Sequence, residues 1–167
     1  GMLQSELDQA RKAPVVEAAA TKPDERLERV RNDLDGLDVR YRRGRLSIGI
    51  DNSVTFSAGS TALKGSAGAL LRRVADVVRR EYPSHRIYVE GHTDTDPIAK
   101  TKGRFRSNRH LSAERADRVA EFLVAKCGVP ADRIVVVGYG PFDPRDSGTS
   151  TAAKGRNRRV EVVVGDA

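Results

Sequence analysis

An α+β fold, a two-layer sandwich with helices packed on one face of a mixed β-sheet, is what this 167-residue sequence predicts. Three observations carry the prediction. Apolar and polar residues alternate with period two on both sides of Arg43-Gly44, as in a β-hairpin. Ala67, Leu70, Leu71, Val74, Val77 and Val78 fall on one helical stripe opposite Arg72, Arg73, Asp76, Arg79 and Arg80. After that stripe, short apolar runs alternate with a second helical pattern, which places helices and strands in one domain.

Taken in order, residues 1–23 read as a linker or disordered extension. Gly1-Met2 has the look of a cloning remnant or trimmed start. Residues 2–24 hold three basic and four acidic side chains, Ala18-Ala19-Ala20, Pro14 and Pro23, with few apolar groups to pack. Residues 24–45 form a helix and a strand leading into the domain. Leu27, Val30, Leu34 and Leu37 recur at helical spacing, with Asp24 as the N-cap and Gly36 as the stop. Val39-Arg40-Tyr41 and Leu46 to Ile50 make the hairpin. The amphipathic helix from Ala67 stops at Pro83, and His85 to Glu90 is a strand ended by Gly91. A polar loop with Pro97 and Gly103 runs to Asn108. A second helix presents Leu111, Arg115, Val119 and Phe122 and ends at Cys127-Gly128. Arg133 to Val137 is a strand, residues 138–157 a Gly/Pro-rich loop, and Arg159 to Val164 the last strand. Residues 165–167 are a tail.

Composition narrows the function. Thirty Lys+Arg against 23 Asp+Glu give a net charge of +7 and a pI near 9.9, which points to an anionic partner without naming it. No apolar run approaches the roughly 20 residues that cross a bilayer, and no signal peptide is visible. An exported protein would carry its signal or anchor outside these residues. The lone Cys127 leaves no disulfide framework and no multi-cysteine zinc site.

Catalysis finds no residues. His92, Asp94 and Asp96 cluster in Gly91 to Asp96, but no further His or Cys ligand recurs at matching spacing, so no metal or other cofactor is expected. His92 is expected to pack at the strand end and hold the following loop by hydrogen bonds. Cys127 lies at a helix C-terminus, where the macrodipole disfavours a thiolate, and is expected to be a small buried hydrophobe. No Gly-x-Ser-x-Gly and no P-loop occurs. Arg104, Arg106 and Arg109, and Arg156, Arg158 and Arg159, form basic clusters. With aromatic residues at 5% and no RNP-like or helix-turn-helix pattern, nucleic acid is the runner-up partner, not the first choice.

Several strings together resemble one family. These are Val54 to Leu63, Val89-Glu90-Gly91-His92-Thr93-Asp94, and Asn108 to Ala116 with its Asn-x-x-Leu-Ser-x-x-Arg-Ala pattern. Gly138-Tyr139-Gly140 and Asn157-Arg158-Arg159-Val160-Glu161 follow in the same order. The set is similar to the C-terminal OmpA-like domain shared by outer-membrane protein A, peptidoglycan-associated lipoprotein and the stator protein MotB. It covers about residues 46–164. The loop is longer than in the first two, and Thr95-Asp96-Pro97-Ile98 followed by a basic stretch resembles the MotB branch.

The resemblance implies a βαβαββ domain that binds peptidoglycan non-covalently through the diamino acid of its peptide stem. It is not an enzyme, and it tethers a membrane-anchored protein of the periplasm or cell envelope to the wall. Asp94 and Arg115 stand at the positions that grip the ammonium and carboxylate of that residue, a match of carboxylate to ammonium and guanidinium fork to carboxylate. Asn108, seven residues before Arg115 on the same helical face, and Arg158 complete the expected ligand set. Arg159 turns to the other face by strand alternation. An Asp94–Arg115 ion pair that stabilises the loop is the alternative role, and such a pair can open to a ligand. Val54 to Leu63 resembles the family's opening strand and turn. A homodimer, as in the MotB branch, and docking on its own sheet are two outcomes left open for the Leu27/Val30/Leu34/Leu37 stripe.

Overall fold

The computed structural model describes residues 23–98 and 103–167. Most of the expected linker, and part of the basic stretch after Ile98, lie outside the described residues. The chain divides into two units, the first ending at Asp35 and the second running from Gly36 to Ala167. The described part of the first unit is helix α1, Pro23–Asp33. Proline at the first helical position has a suitable φ and no N–H to waste, so the helix starts one residue before the Asp24 expected as its cap. It also ends earlier than the expected stop.

In the second unit, β1 (Asp38–Arg42) and β2 (Arg45–Asp51) form the expected hairpin. Arg43 and Gly44 both have positive φ, 53° and 76°, the conformation of a type I′ turn. A four-residue helix α2 (Asn52–Thr55) takes in Val54 and Thr55, the start of the segment expected to hold the opening strand and turn. Asp51 caps it by accepting the Ser53 N–H at 2.7 Å, and only an isolated bridge from Phe56 to Leu63 keeps a strand-like pairing. Helix α3 (Ala67–Glu81) buries Ala67, Leu71, Val74, Ala75, Val77 and Val78, and Pro83 follows its end. Strand β3 (Ile87–His92) is followed by the loop to Asn108 and then helix α4 (Asn108–Ala125). A 3₁₀ turn (Ala131–Arg133) leads into β4 (Ile134–Gly140). Helix α5 (Thr151–Asn157) lies inside what the sequence predicts as loop, and β5 (Arg159–Val164) ends the sheet. Among the described residues, no helix is long and apolar enough to cross a membrane.

The sheet order is β1-β2-β5-β3-β4, antiparallel throughout except for the parallel β3–β4 pair. Register puts Ile48, Ile50, Val160, Val162, Ile87 and Val89 on one face, all buried. Helix α4 packs on β3 and β4 and against α3. Its buried side is Leu111, Ser112, Ala116, Val119, Ala120 and Leu123, whereas Arg115 and Phe122 sit at the margin. Strand β3 runs through Gly91 rather than ending there, because Gly91 pairs with Val160 on one side and Gly138 on the other. A Cβ on Gly91 would stand 2.0 Å from the Ser112 carbonyl oxygen, and one on Gly138 2.6 Å from Ala113 Cβ. The two glycines therefore let α4 lie directly on the sheet. Ser112 Oγ accepts the Gly140 N–H at 2.9 Å and donates to the Arg109 carbonyl at 2.8 Å, locking the first turns of α4 to the ends of β3 and β4.

Candidate functional site

That lock decides where the charged side chains at this end of the sheet stand. Asp94 follows β3 by two residues and is buried, with Oδ1 accepting the Asp96 N–H at 2.9 Å. Its Oδ2 pairs with Arg158 Nη1 at 2.5 Å. Arg158 precedes β5, which runs antiparallel to β3, so both side chains emerge at the same end of neighbouring strands. The partner of Asp94 is thus Arg158, not the Arg115 set against it by sequence. Asn157 fixes the approach to Arg158: its Oδ1 accepts the N–H groups of Arg145 and Asp146, and its Nδ2 donates to the Asp146 carbonyl.

Arg115 is half-buried on α4. Its Nε donates to the Ser60 carbonyl at 3.2 Å, and its guanidinium carbon lies 5.4 Å from the centre of the Phe56 ring. Among the described residues its terminal nitrogens have no hydrogen-bond partner. Burial, then the nearby Arg158 charge, pulls its pKa below the usual guanidinium value. Two guanidiniums close enough to repel, with one carboxylate beside them, leave a local excess of positive charge. Asn108 opens α4 and donates from Nδ2 to the Asp96 carbonyl at 3.0 Å. Lys154 Nζ reaches Asp96 Oδ1 at 3.0 Å. Asp94 with Arg158, and Asn108 through Asp96, are therefore joined directly. Arg115 is linked to them by proximity to Arg158.

The opposite face of the sheet holds a second cluster. Glu161 is fully buried and contacts Arg40 at 3.0 Å, Arg42 at 3.2 Å, Arg159 at 3.2 Å and Ser47 at 3.1 Å. Arg159 does turn to this face, as alternation requires. His92, 1% exposed, stacks on Tyr139 with ring centres 5.0 Å apart and brings Nε2 within 3.2 Å of Glu161 Oε2. Its expected role of holding the loop by hydrogen bonds is corrected: the loop is held by Thr93 and Asp94, while His92 is packed beneath the sheet. Burial would raise Glu161, but His92, Arg159 and Arg40 outweigh it and hold the carboxyl far below its ordinary range. Burial lowers His92, keeping it neutral near pH 7. Glu90, 3.9 Å from His92, is raised to about 7 by burial and by the Glu161 charge.

Glu90, His92 and Glu161 offer ligand atoms within 4.8 Å of one another. Three guanidiniums already compensate Glu161, so a cation would enter a positively charged surround, which argues against a metal there. Cys127 is half-exposed, less buried than expected, and desolvation raises its pKa, so its thiolate is disfavoured. What sequence reasoning missed is Glu161. The available signal is one acid among the valines of a wholly buried strand that opens on Arg159, with Arg40 and Arg42 at period two on the hairpin.

A mixed five-stranded sheet with helices on one face, and charged side chains gathered where β3 ends and β5 begins, defines an OmpA C-terminal-type domain. The chain belongs to the OmpA family, whose model matches residues 55–158. It is 36% identical over 129 residues to an Escherichia coli protein named "Probable lipoprotein YiaD", covering 77% of this chain and 55% of that one. It is 36% identical over 111 residues to the peptidoglycan-binding protein ArfA of Mycobacterium tuberculosis, covering 66% of this chain and 32% of that one. The chain thus spans about half the length, or less, of these curated relatives. A crystal structure of a MotB-like protein from Desulfovibrio vulgaris superposes with a TM-score of 0.75 at 24% identity, over 99% of both chains, and shares the fold.

Proposed function

We propose that this domain binds peptidoglycan non-covalently, through the diamino acid of the peptide stem, without catalysing a reaction. In this reading Asp94 takes the ammonium, Arg115 and Arg158 take the carboxylate, and Asn108 hydrogen-bonds the peptide. The observation that carries it is Arg115. Its Nε is anchored on Ser60 and its ring-side face on Phe56, while its terminal N–H groups are left to fork onto an incoming carboxylate. The Asp94–Arg158 pair supplies both signs that a zwitterion needs, and it opens or shares its charges when ligand arrives. Family membership and the named binding of ArfA support the same ligand class. The full-length protein is proposed to be envelope-localised and membrane-anchored through residues beyond this chain, in a stator-like or related tethering role. Self-association is part of that proposal.

Sedimentation with purified sacculi tests it. Binding is expected to survive moderate salt and to be lost in Asp94→Ala and Arg115→Ala, each by roughly 10–100-fold, the worth of a charge-assisted hydrogen bond. Retention that ignores both substitutions and vanishes with salt alone would instead mark general polyanion binding.

A further inference from the structure

One exposed feature at the same end of the sheet is unused by the stem-binding reading. Phe142 is 67% exposed, the most exposed large hydrophobic among the described residues. It is nonetheless firmly placed. Arg109 lies across one face of its ring, with the guanidinium carbon 4.5 Å from the ring centre. The loop that carries it leaves β4 at Gly140, where a Cβ would come within 3.1 Å of the Arg109 backbone, so chain and helix touch there. The Phe142 N–H turns back onto the Tyr139 carbonyl. Among the described residues the Arg109 guanidinium makes no hydrogen bond, so its donors face solvent.

This shelf adjoins the proposed stem site. Arg109 follows Asn108 in α4, and the Thr93 N–H next to Asp94 donates to the Gly140 carbonyl at 2.9 Å. Arg158, Asp94 and Phe142 flank the ends of β5, β3 and β4, which are successive neighbours in the sheet. One to two strand spacings, roughly 5–10 Å, therefore separate the shelf from the charged pair. Extended peptide spans about 3.5 Å per residue, so a sugar joined to the gripped diamino acid through a short peptide can reach this distance. We infer that Phe142 and Arg109 form a glycan subsite, on which an N-acetylhexosamine ring of the peptidoglycan strand stacks while the stem occupies the charged site. The chemistry is complementary: the C–H face of a pyranose, slightly positive, lies on the negative face of an aromatic ring. The free guanidinium N–H groups donate to hydroxyl or N-acetyl oxygens at the ring's edge.

The inference rests on the stem-binding reading, and calorimetry with two ligands separates their fates. One ligand is the free stem peptide containing the diamino acid, and the other is the same peptide on its N-acetylglucosaminyl–N-acetylmuramyl disaccharide. The chain is expected to bind the disaccharide-peptide roughly three- to tenfold more tightly. Phe142→Ala should abolish that preference, and Phe142→Trp should keep it. A native chain without the preference, or a Phe142→Ala chain that retains it, overturns the glycan subsite alone. Failure of the folded native chain to bind either ligand overturns the stem reading and this inference with it.

Discussion

Glu90→Gln isolates a titration that the fold builds into the polar face of the sheet. Glu90 is paired in register with Glu161, and it is surrounded by His92, Tyr139, Arg42, Asp143 and Arg159. Burial and the Glu161 charge raise its pKa from 4.5 to about 7. Between those values the native chain holds a proton that the unfolded chain releases, so stability falls as pH rises through this window. A shift of about 2.5 pKa steps corresponds to on the order of 3 kcal/mol. That figure is an upper one, since the ionised carboxylate can relax toward solvent. Glutamine mimics the protonated acid and removes the effect. Urea unfolding of both chains from pH 4.5 to about pH 9 is the assay. The stability advantage of the variant should grow steadily with pH, by as much as ~3 kcal/mol, and level off above pH 8. His92 shifts the opposite way, downward, but contributes to both chains and largely cancels in the difference. A stability difference that stays constant within about 0.5 kcal/mol across the range would refute the upward shift of Glu90 by burial and the Glu161 charge.

Two further outcomes bear on the packing. Gly91→Ala should cost about 3 kcal/mol or more, because its Cβ meets a backbone oxygen at 2.0 Å and the helix must lift from the sheet; thermal unfolding reads the loss directly. Glu161→Ala should cost about 3–5 kcal/mol at pH 7, since it strands the buried Arg159 guanidinium beside Arg40 and Arg42; denaturant midpoints against Arg45→Ala, at an exposed pair with Asp166, check that burial sets the size.

The elements legible in sequence were those whose side chains repeat. The α3 stripe, the hairpin around Arg43-Gly44 and the final strand each carry a period that one face of a buried element imposes. The two short helices were not legible, because caps rather than apolar periodicity hold them. Asp51 takes the Ser53 N–H, and Ser150 takes the Ala153 N–H at 3.1 Å. At the candidate site, Asp94 and Arg115 could be singled out by motif, but their partners could not. Arg158 lies 64 positions from Asp94, and only the antiparallel β3–β5 register brings them together. Ser60, which orients Arg115, contributes a backbone carbonyl and so leaves no side-chain signal at all.

The same register changes what the net charge of +7 means. A chain with 30 basic residues invites a polyanion reading, yet many of its arginines are committed within the fold. Arg40, Arg42 and Arg159 converge on Glu161, Arg145 binds Asp38, Arg156 binds Asp146, and Arg158 binds Asp94. A polyanion approaching these groups would have to displace carboxylates already at hydrogen-bond distance, gaining little from the exchange. Under the proposed function a zwitterion faces no such contest where β3 ends and β5 begins, because its ammonium would take over Asp94 as its carboxylate takes Arg158 and the open terminal nitrogens of Arg115. On the proposed reading, selectivity at this site follows from matched pairs of opposite sign at short range, which salt screens weakly, rather than from the long-range field of the whole chain, which salt at 0.15 M cuts off beyond about 8 Å.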